Sequence, residues 1–196
     1  RGAGNLLGDE QSGQIREVGF ELYQSMLEEA VTKIRKGSQE ESYQDADSWS
    51  PEINLNVSVL IPETFVKDLD VRLSLYRRLS NIRNSVDMEA FNVELYDRFG
   101  KLPREVSMLI NIMKIKNKCL EAGIVKLEGG PRGAIVKFYN DKFNNPENLM
   151  EYIKKQGNLI KVKESKLIIR RDWKDVSDKI KGAYSIVSDL ANLVIK

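Results

Sequence analysis

The chain has 196 residues, of which 41% are hydrophobic and 31% charged, with a net charge of +2 at neutral pH. It contains no histidine and a single cysteine, Cys119. That excludes Ser-His-Asp and Cys-His catalysis, histidine-containing zinc sites, cysteine metal clusters and any intrachain disulfide. No apolar run approaches the ~20 residues that span a bilayer, no secretory signal opens the chain, and the lone thiol agrees with a reducing, cytoplasmic setting. The chain opens on Arg1 and not on methionine, so it is expected to be a piece of a longer protein. Charge is uneven: net −5 over residues 1–50, −1 over 51–110 and +8 over 111–196. A basic C-terminal part can meet nucleic acid or an acidic protein face, but its lysines are scattered over strands and helices and read as a solvated surface.

Residues 1–14, RGAGNLLGDEQSGQ, are too rich in glycine and polar side chains for one regular element. Ile15, Val18, Leu22, Met26, Leu27, Ala30, Val31 and Ile34 then recur at helical spacing, and Gly37 after Lys33, Arg35 and Lys36 is a helix stop. Residues 38–50, SQEESYQDADSWS, are acidic and offer little to bury, which is the composition of a linker.

A folded unit is expected from Pro51 onward. Ile53, Leu55, Val57 and Val59 alternate with polar residues and predict one half-buried strand. Asp68 or Asp70 caps a helix with Leu69, Leu73, Tyr76, Leu79 and Ile82 on one side. A second helix covers about 87–99 and stops at Gly100. A third begins near Pro103, turns Val106, Leu109, Ile110, Met113 and Leu120 inward, and stops at Gly123. IVKLE and AIVKFYN around Gly129-Gly130-Pro131-Arg132-Gly133 predict a hairpin. A short helix follows Asn145-Pro146, LIKVK and KLIIR make a second hairpin around Glu164-Ser165, and a helix from Asp175 closes the chain. Helices and strands partly segregate, so the class is α+β: an N-terminal helical coupling element (1–37), a linker (38–50) and a mixed domain of hairpins and several helices (51–196).

No motif in the chain carries chemistry of its own. Gly2, Gly4 and Gly8 are spaced one residue too long for a dinucleotide fingerprint, and the flanking strand and helix it needs are missing from the pattern. No GxxxxGK[ST] segment occurs, so the chain has no phosphate-binding loop. The Gly129–Gly133 run is better explained as a tight turn than as an anion cradle. No catalytic residue, metal site or cofactor is therefore assigned to the chain itself. A stand-alone enzyme would need two acids converging in a pocket, and no spacing suggests such a pair.

The segment RGAGNLLGDEQSGQIREVGFELYQSMLEEAV resembles the TRG motif, shared by the RecG branch-migration helicases and the transcription-repair coupling factors. IPETFVKDLDVRLSLYRRL and ELYDRFGKLP resemble the C-terminal domain of the coupling factors, whereas RecG proteins carry only a short tail after the motif. The resemblance implies a fragment of an ATP-dependent double-stranded DNA translocase. ATP and magnesium would be bound upstream, by paired RecA-like domains. It implies that Arg1 and Gln11 couple hydrolysis to movement, with Gly4, Gly8 and Gly13 letting the loop turn between them. It also implies a C-terminal domain that packs on a UvrB-like N-terminal module and hides the surface that recruits UvrA, with RNA polymerase engaged by a domain further upstream. A RecG-type fragment and a stand-alone protein-interaction domain are the alternatives.

Overall fold

The computed structural model describes residues 49–57 and 59–195. Arg1, Gln11, Gly4, Gly8 and Gly13, the helix expected over 15–34 and nearly all of the expected linker lie outside the described residues.

The first helix among the described residues, α1 (Leu69–Asn81), starts where sequence chemistry places it: the Val71 amide donates to Asp68 Oδ1 at 2.9 Å. It buries Leu75, Tyr76 and Leu79, while Leu69 is 49% exposed and sits off the core-facing stripe. Tyr76 reaches further than packing, because its hydroxyl accepts the Ile61 amide at 2.5 Å and fixes the segment before the helix. Helix α2 (Ser85–Phe99) is capped by Asn84, whose side chain accepts the Asp87 amide at 2.8 Å, and ends at Gly100 with φ +85°. Helix α3 (Arg104–Glu121) follows Pro103 and is the centre of the fold. Leu109, Ile112, Met113, Ile115 and Cys119 are all 2% exposed or less. A helix buried on nearly all sides needs partners on all sides, and α3 touches α1, α2, the first long strand and the closing helix. Burial pushes the Cys119 thiol well above its ordinary range, so in the folded chain it is an inert core side chain and not a nucleophile.

Among the described residues the sheet has five strands: β1 (Glu52–Asn54), β2 (Ile124–Gly130), β3 (Gly133–Phe138), β4 (Ile160–Lys163) and β5 (Lys166–Arg170), in the order β1-β2-β3-β5-β4. β1 is parallel to β2, with α1, α2 and α3 forming the crossover, and the other pairings are antiparallel. Helices α4 (Pro146–Gln156) and α5 (Val176–Ile195) complete the chain. Ile53, Leu127, Val136 and Leu167 lie opposite one another in a single buried row across four strands. Helix α5 lays Ile180, Ala183, Val187 and Leu190 over α3 and β2, so the helices gather on that face. This is the α+β architecture expected.

Two local expectations change. The strand expected over 53–59 pairs only at Glu52–Asn54. Asn56 turns left-handed (φ 50°) and its amide donates to Asn54 Oδ1 at 3.2 Å, a local side-chain turn that ends the extended run. Leu55, Val59 and Ile61 are buried all the same. Trp49, assigned to the linker, stacks on Tyr139 with ring centroids 5.2 Å apart and planes at 15°. Both hairpins form, and the second turns through Glu164 (φ 50°) and Ser165 (φ 58°).

Candidate interaction surface

Helix α2 carries apolar residues on two faces. Met88, Phe91 and Leu95 point into the core. Val86, Ala90 and Val93 follow one another at intervals of four and three residues on the other side, with Tyr96 one turn beyond Val93. Val86 is 76% exposed, Val93 52% and Tyr96 59%. Single exposed hydrophobics are ordinary, but three large ones along one helix face make a patch. Ser85, Glu89, Glu94 and Asp97 line the same shallow open groove, so the apolar ridge has an acidic border.

Glu94 is the most constrained group there. Arg78 of α1 grips it with two bonds, Nη1 to Oε1 at 2.8 Å and Nη2 to Oε2 at 2.5 Å, and Arg98 adds Nη1 to Oε1 at 2.8 Å. The two guanidiniums also lie over aromatic rings, Arg78 5.4 Å from the Phe91 centroid and Arg98 4.9 Å from that of Phe99. The Arg78 hydrogen bond, then that of Arg98, lowers the Glu94 carboxyl from about 4.5 to about 2. A lowered carboxyl stabilises the fold above its unfolded pKa and loses that contribution as pH falls through the folded one. Between about pH 4.5 and about pH 2, Glu94→Gln is therefore expected to lose less stability than the parent chain. Urea midpoints measured across that window test this, and parallel curves for the two proteins would show that the carboxylate contributes nothing. The site is solvent-accessible, so the difference is small.

Elsewhere the arrangement is structural. Pro131 and Arg132 form the tip of the β2–β3 hairpin, and Gly133 (φ +129°) is pressed against the Ile169 carbonyl. Gly182 of α5 gives room to the Trp173 indole: a Cβ there would lie 2.3 Å from Nε1. Glu52 and Glu128 do converge, but on Lys126 Nζ at 2.9 and 3.2 Å, as ion pairs on the sheet surface. Tyr152 is pushed up to about 12 by burial first and by Asp189 second.

A family model described as the TRCF domain matches residues 55–149, from the segment after β1 into α4. The transcription-repair-coupling factor of Rickettsia typhi is 40% identical over 169 residues, and that of Escherichia coli K12 is 38% identical over 156. The chain belongs to the transcription-repair coupling factor family. The Rickettsia alignment covers 86% of this chain and 15% of its relative, and the E. coli alignment 80% and 14%. The coupling factor of Buchnera aphidicola subsp. Baizongia pistaciae is 32% identical over 98% of the chain and 28% of its own length. The fold matches a crystal structure described as the C-terminal domain of transcription-repair coupling factor. Its TM-score is 0.61 at 19% identity, over 74% of this chain and 94% of that one. The chain therefore carries a coupling-factor C-terminal domain, and it spans about one seventh of the length of the Rickettsia and E. coli relatives. The match over 55–149 lies beyond the segment that resembles the TRG motif, in the part of the chain that a RecG-type fragment is expected to lack.

Sequence reasoning does not single out the outer face of α2, although its signal is present: Val86, Ala90 and Val93 keep helical spacing beside Met88, Phe91 and Leu95. A helix with two apolar stripes needs two partners, and the described residues supply one.

Proposed function

We propose that residues 51–196 form a regulatory docking domain at the end of an ATP-dependent DNA translocase that links repair to stalled transcription. The single observation that carries this reading is the outward ridge of Val86, Val93 and Tyr96 on α2. The Rickettsia and E. coli relatives are about seven times as long as this chain, and a body of that size in the same protein would be available to cover it. The occupant we assign is the UvrB-like N-terminal module of that chain, which the resemblance supplies. Docked there, the domain hides the UvrA-recruiting surface and restrains the motor.

An apolar ridge with an acidic border is suited to a contact that forms and breaks. Val86, Val93 and Tyr96 supply burial, at roughly 25 cal/mol per Å² removed from water. Glu89 and Asp97 supply orientation and partner choice more than affinity. Added in trans to the isolated UvrB-like module, the 196-residue chain is expected to bind it. Val93→Asp should weaken binding at least tenfold, with the chain's own stability changed by no more than about 0.5 kcal/mol, because the side chain is exposed. Calorimetric titration measures the first and urea unfolding the second. Undiminished binding by Val93→Asp would remove α2 from the interface.

Residues 1–37 are proposed as the coupling element. Arg1 offers a planar multidentate clamp and Gln11 an amide that donates and accepts at once. In the full-length protein, Arg1→Ala or Gln11→Ala should leave most ATP turnover intact while duplex translocation fails. Triplex displacement measured beside ATP turnover checks this, and a proportional fall in both would assign these residues to catalysis or folding. RNA polymerase would be engaged through an upstream domain, and DNA, ATP and magnesium through the upstream motor.

A further inference from the structure

The register of the sheet assembles something its sequence does not display. On the face opposite α3 and α5, Lys126 lies opposite Lys137, Lys137 opposite Lys166, and Lys166 opposite Lys163. Glu52 ends this row at β1. At about 4.8 Å between strands, the four lysine positions fall within roughly 14 Å. Like charges directly opposite in a sheet are destabilising, and here three such juxtapositions run in succession. Their compensation is one-sided. Lys126 takes both Glu52 and Glu128. Among the described residues, Lys137 and Lys163 have only Asp141 and Glu164, each at 3.7 Å. Lys166 has no acidic partner among the described residues. Next to the row, Ile135 lies opposite Ile168 and is 37% exposed. Among the described residues no helix packs on this face.

The entry point of the chain is at this row. β1 runs parallel to β2 with Glu52 opposite Lys126. Trp49, three residues earlier, stacks on Tyr139, two residues past Lys137. Immediately before it, residues 38–48 (SQEESYQDADS) hold Glu40, Glu41, Asp45 and Asp47 and no basic residue. At 3.3–3.6 Å per residue, the eight residues from Glu40 to Asp47 can extend about 25 Å, more than the length of the row.

We propose that the acidic segment 38–48 docks across the outer face of the sheet, setting its carboxylates over Lys137, Lys166 and Lys163. Three observations join in this: a row of opposed lysines short of acids, an adjoining segment of opposite charge and sufficient length, and a stacked Trp49–Tyr139 pair that delivers one to the other. Each exposed pair is weak, but attachment holds the segment at an effective concentration in the millimolar range. The result is a salt-sensitive fastening that sets where residues 1–37 leave the domain. It uses the sheet and not α2, so its failure leaves the docking reading untouched. Duplex nucleic acid is the competing occupant. Among the described residues, strands β1–β5 present no aromatic side chain on this face for stacking single strands. Trp49 and Tyr139 at its edge are already stacked on each other, and the central Ile135–Ile168 pair offers a phosphate backbone nothing.

The test is zero-length carbodiimide cross-linking of the full 196-residue chain, followed by digestion and mass spectrometry. Expected are links from Lys137, Lys163 and Lys166 to Glu40, Glu41, Asp45 or Asp47. They should outnumber links from the exposed Lys101 and Lys181 and fall several-fold in high salt. Links spread evenly over the exposed lysines would overturn the proposal. The sign of a stability change gives a second reading. Lys166→Gln on a bare row relieves repulsion and raises the melting midpoint; under a docked segment it lowers it. The lowering should vanish when Glu40, Glu41, Asp45 and Asp47 are neutralised together to their amides. A raised midpoint, or a short DNA duplex bound equally well with and without those four acids, would assign the row to something other than this segment.

Discussion

Gly133→Ala should destabilise the chain by at least about 3 kcal/mol, because left-handed strain and a backbone collision add. Gly133 opens β3 opposite Arg170 with φ +129°, a conformation that side chains with a Cβ rarely adopt. A Cβ at this position would sit 1.9 Å from the Ile169 carbonyl oxygen and 2.8 Å from the Arg171 amide nitrogen. Those are backbone atoms in and just beyond β5, so relief means opening the β3–β5 pairing that carries Ala134, Val136, Leu167 and Ile169 into the core. Gly130, on the other side of the same turn, is the internal control. It has open space where a Cβ would go, and Gly130→Ala should cost no more than about 1 kcal/mol. Urea unfolding of both variants separates the two positions. Equal small losses would mean that the turn rearranges freely and that the close approach at Gly133 is unimportant to the fold.

Much of this architecture is legible in the amino-acid sequence, for local reasons. Asp68, Asn145-Pro146 and Asp175 start helices because their side chains or rings satisfy the first turn. The Asn148 amide meets Asn145 Oδ1 at 3.2 Å and the Asp178 amide meets Asp175 Oδ1 at 2.9 Å. Gly100 stops α2 through a positive φ that glycine adopts without cost. Strand neighbours are another matter. Period-two patterning tells which side of a strand a residue takes, but not which strand lies beside it. Lys126, Lys137, Lys163 and Lys166 have no common spacing along the chain, so their row exists only once the order β1-β2-β3-β5-β4 is known. Read along the sequence, the same lysines look scattered. β1 shows the opposite failure: alternation over 53–59 is real burial, but Asn56 breaks the pairing after three residues. The family resemblance reaches furthest at Arg1 and Gln11, which lie outside the described residues, and does not single out the outer face of α2.

Deleting residues 51–196 from the full-length protein should expose the UvrA-recruiting surface and raise basal ATP turnover. A contact with a dissociation constant on the order of 10 µM, held at an effective concentration of about 1 mM, is closed about 99% of the time. Removing it should therefore strengthen UvrA binding on the order of a hundredfold, and Val93→Asp should reproduce at least a tenth of that gain. The burial logic is the same for both. Deletion removes the whole cover, whereas the aspartate places a charge in the middle of the Val86–Tyr96 ridge, where docking would strip it of water. The deciding measurement is a titration of UvrA against the intact protein, the Val93→Asp variant and the form lacking residues 51–196. The docking account predicts affinity rising in that order; equal affinity for all three would contradict it.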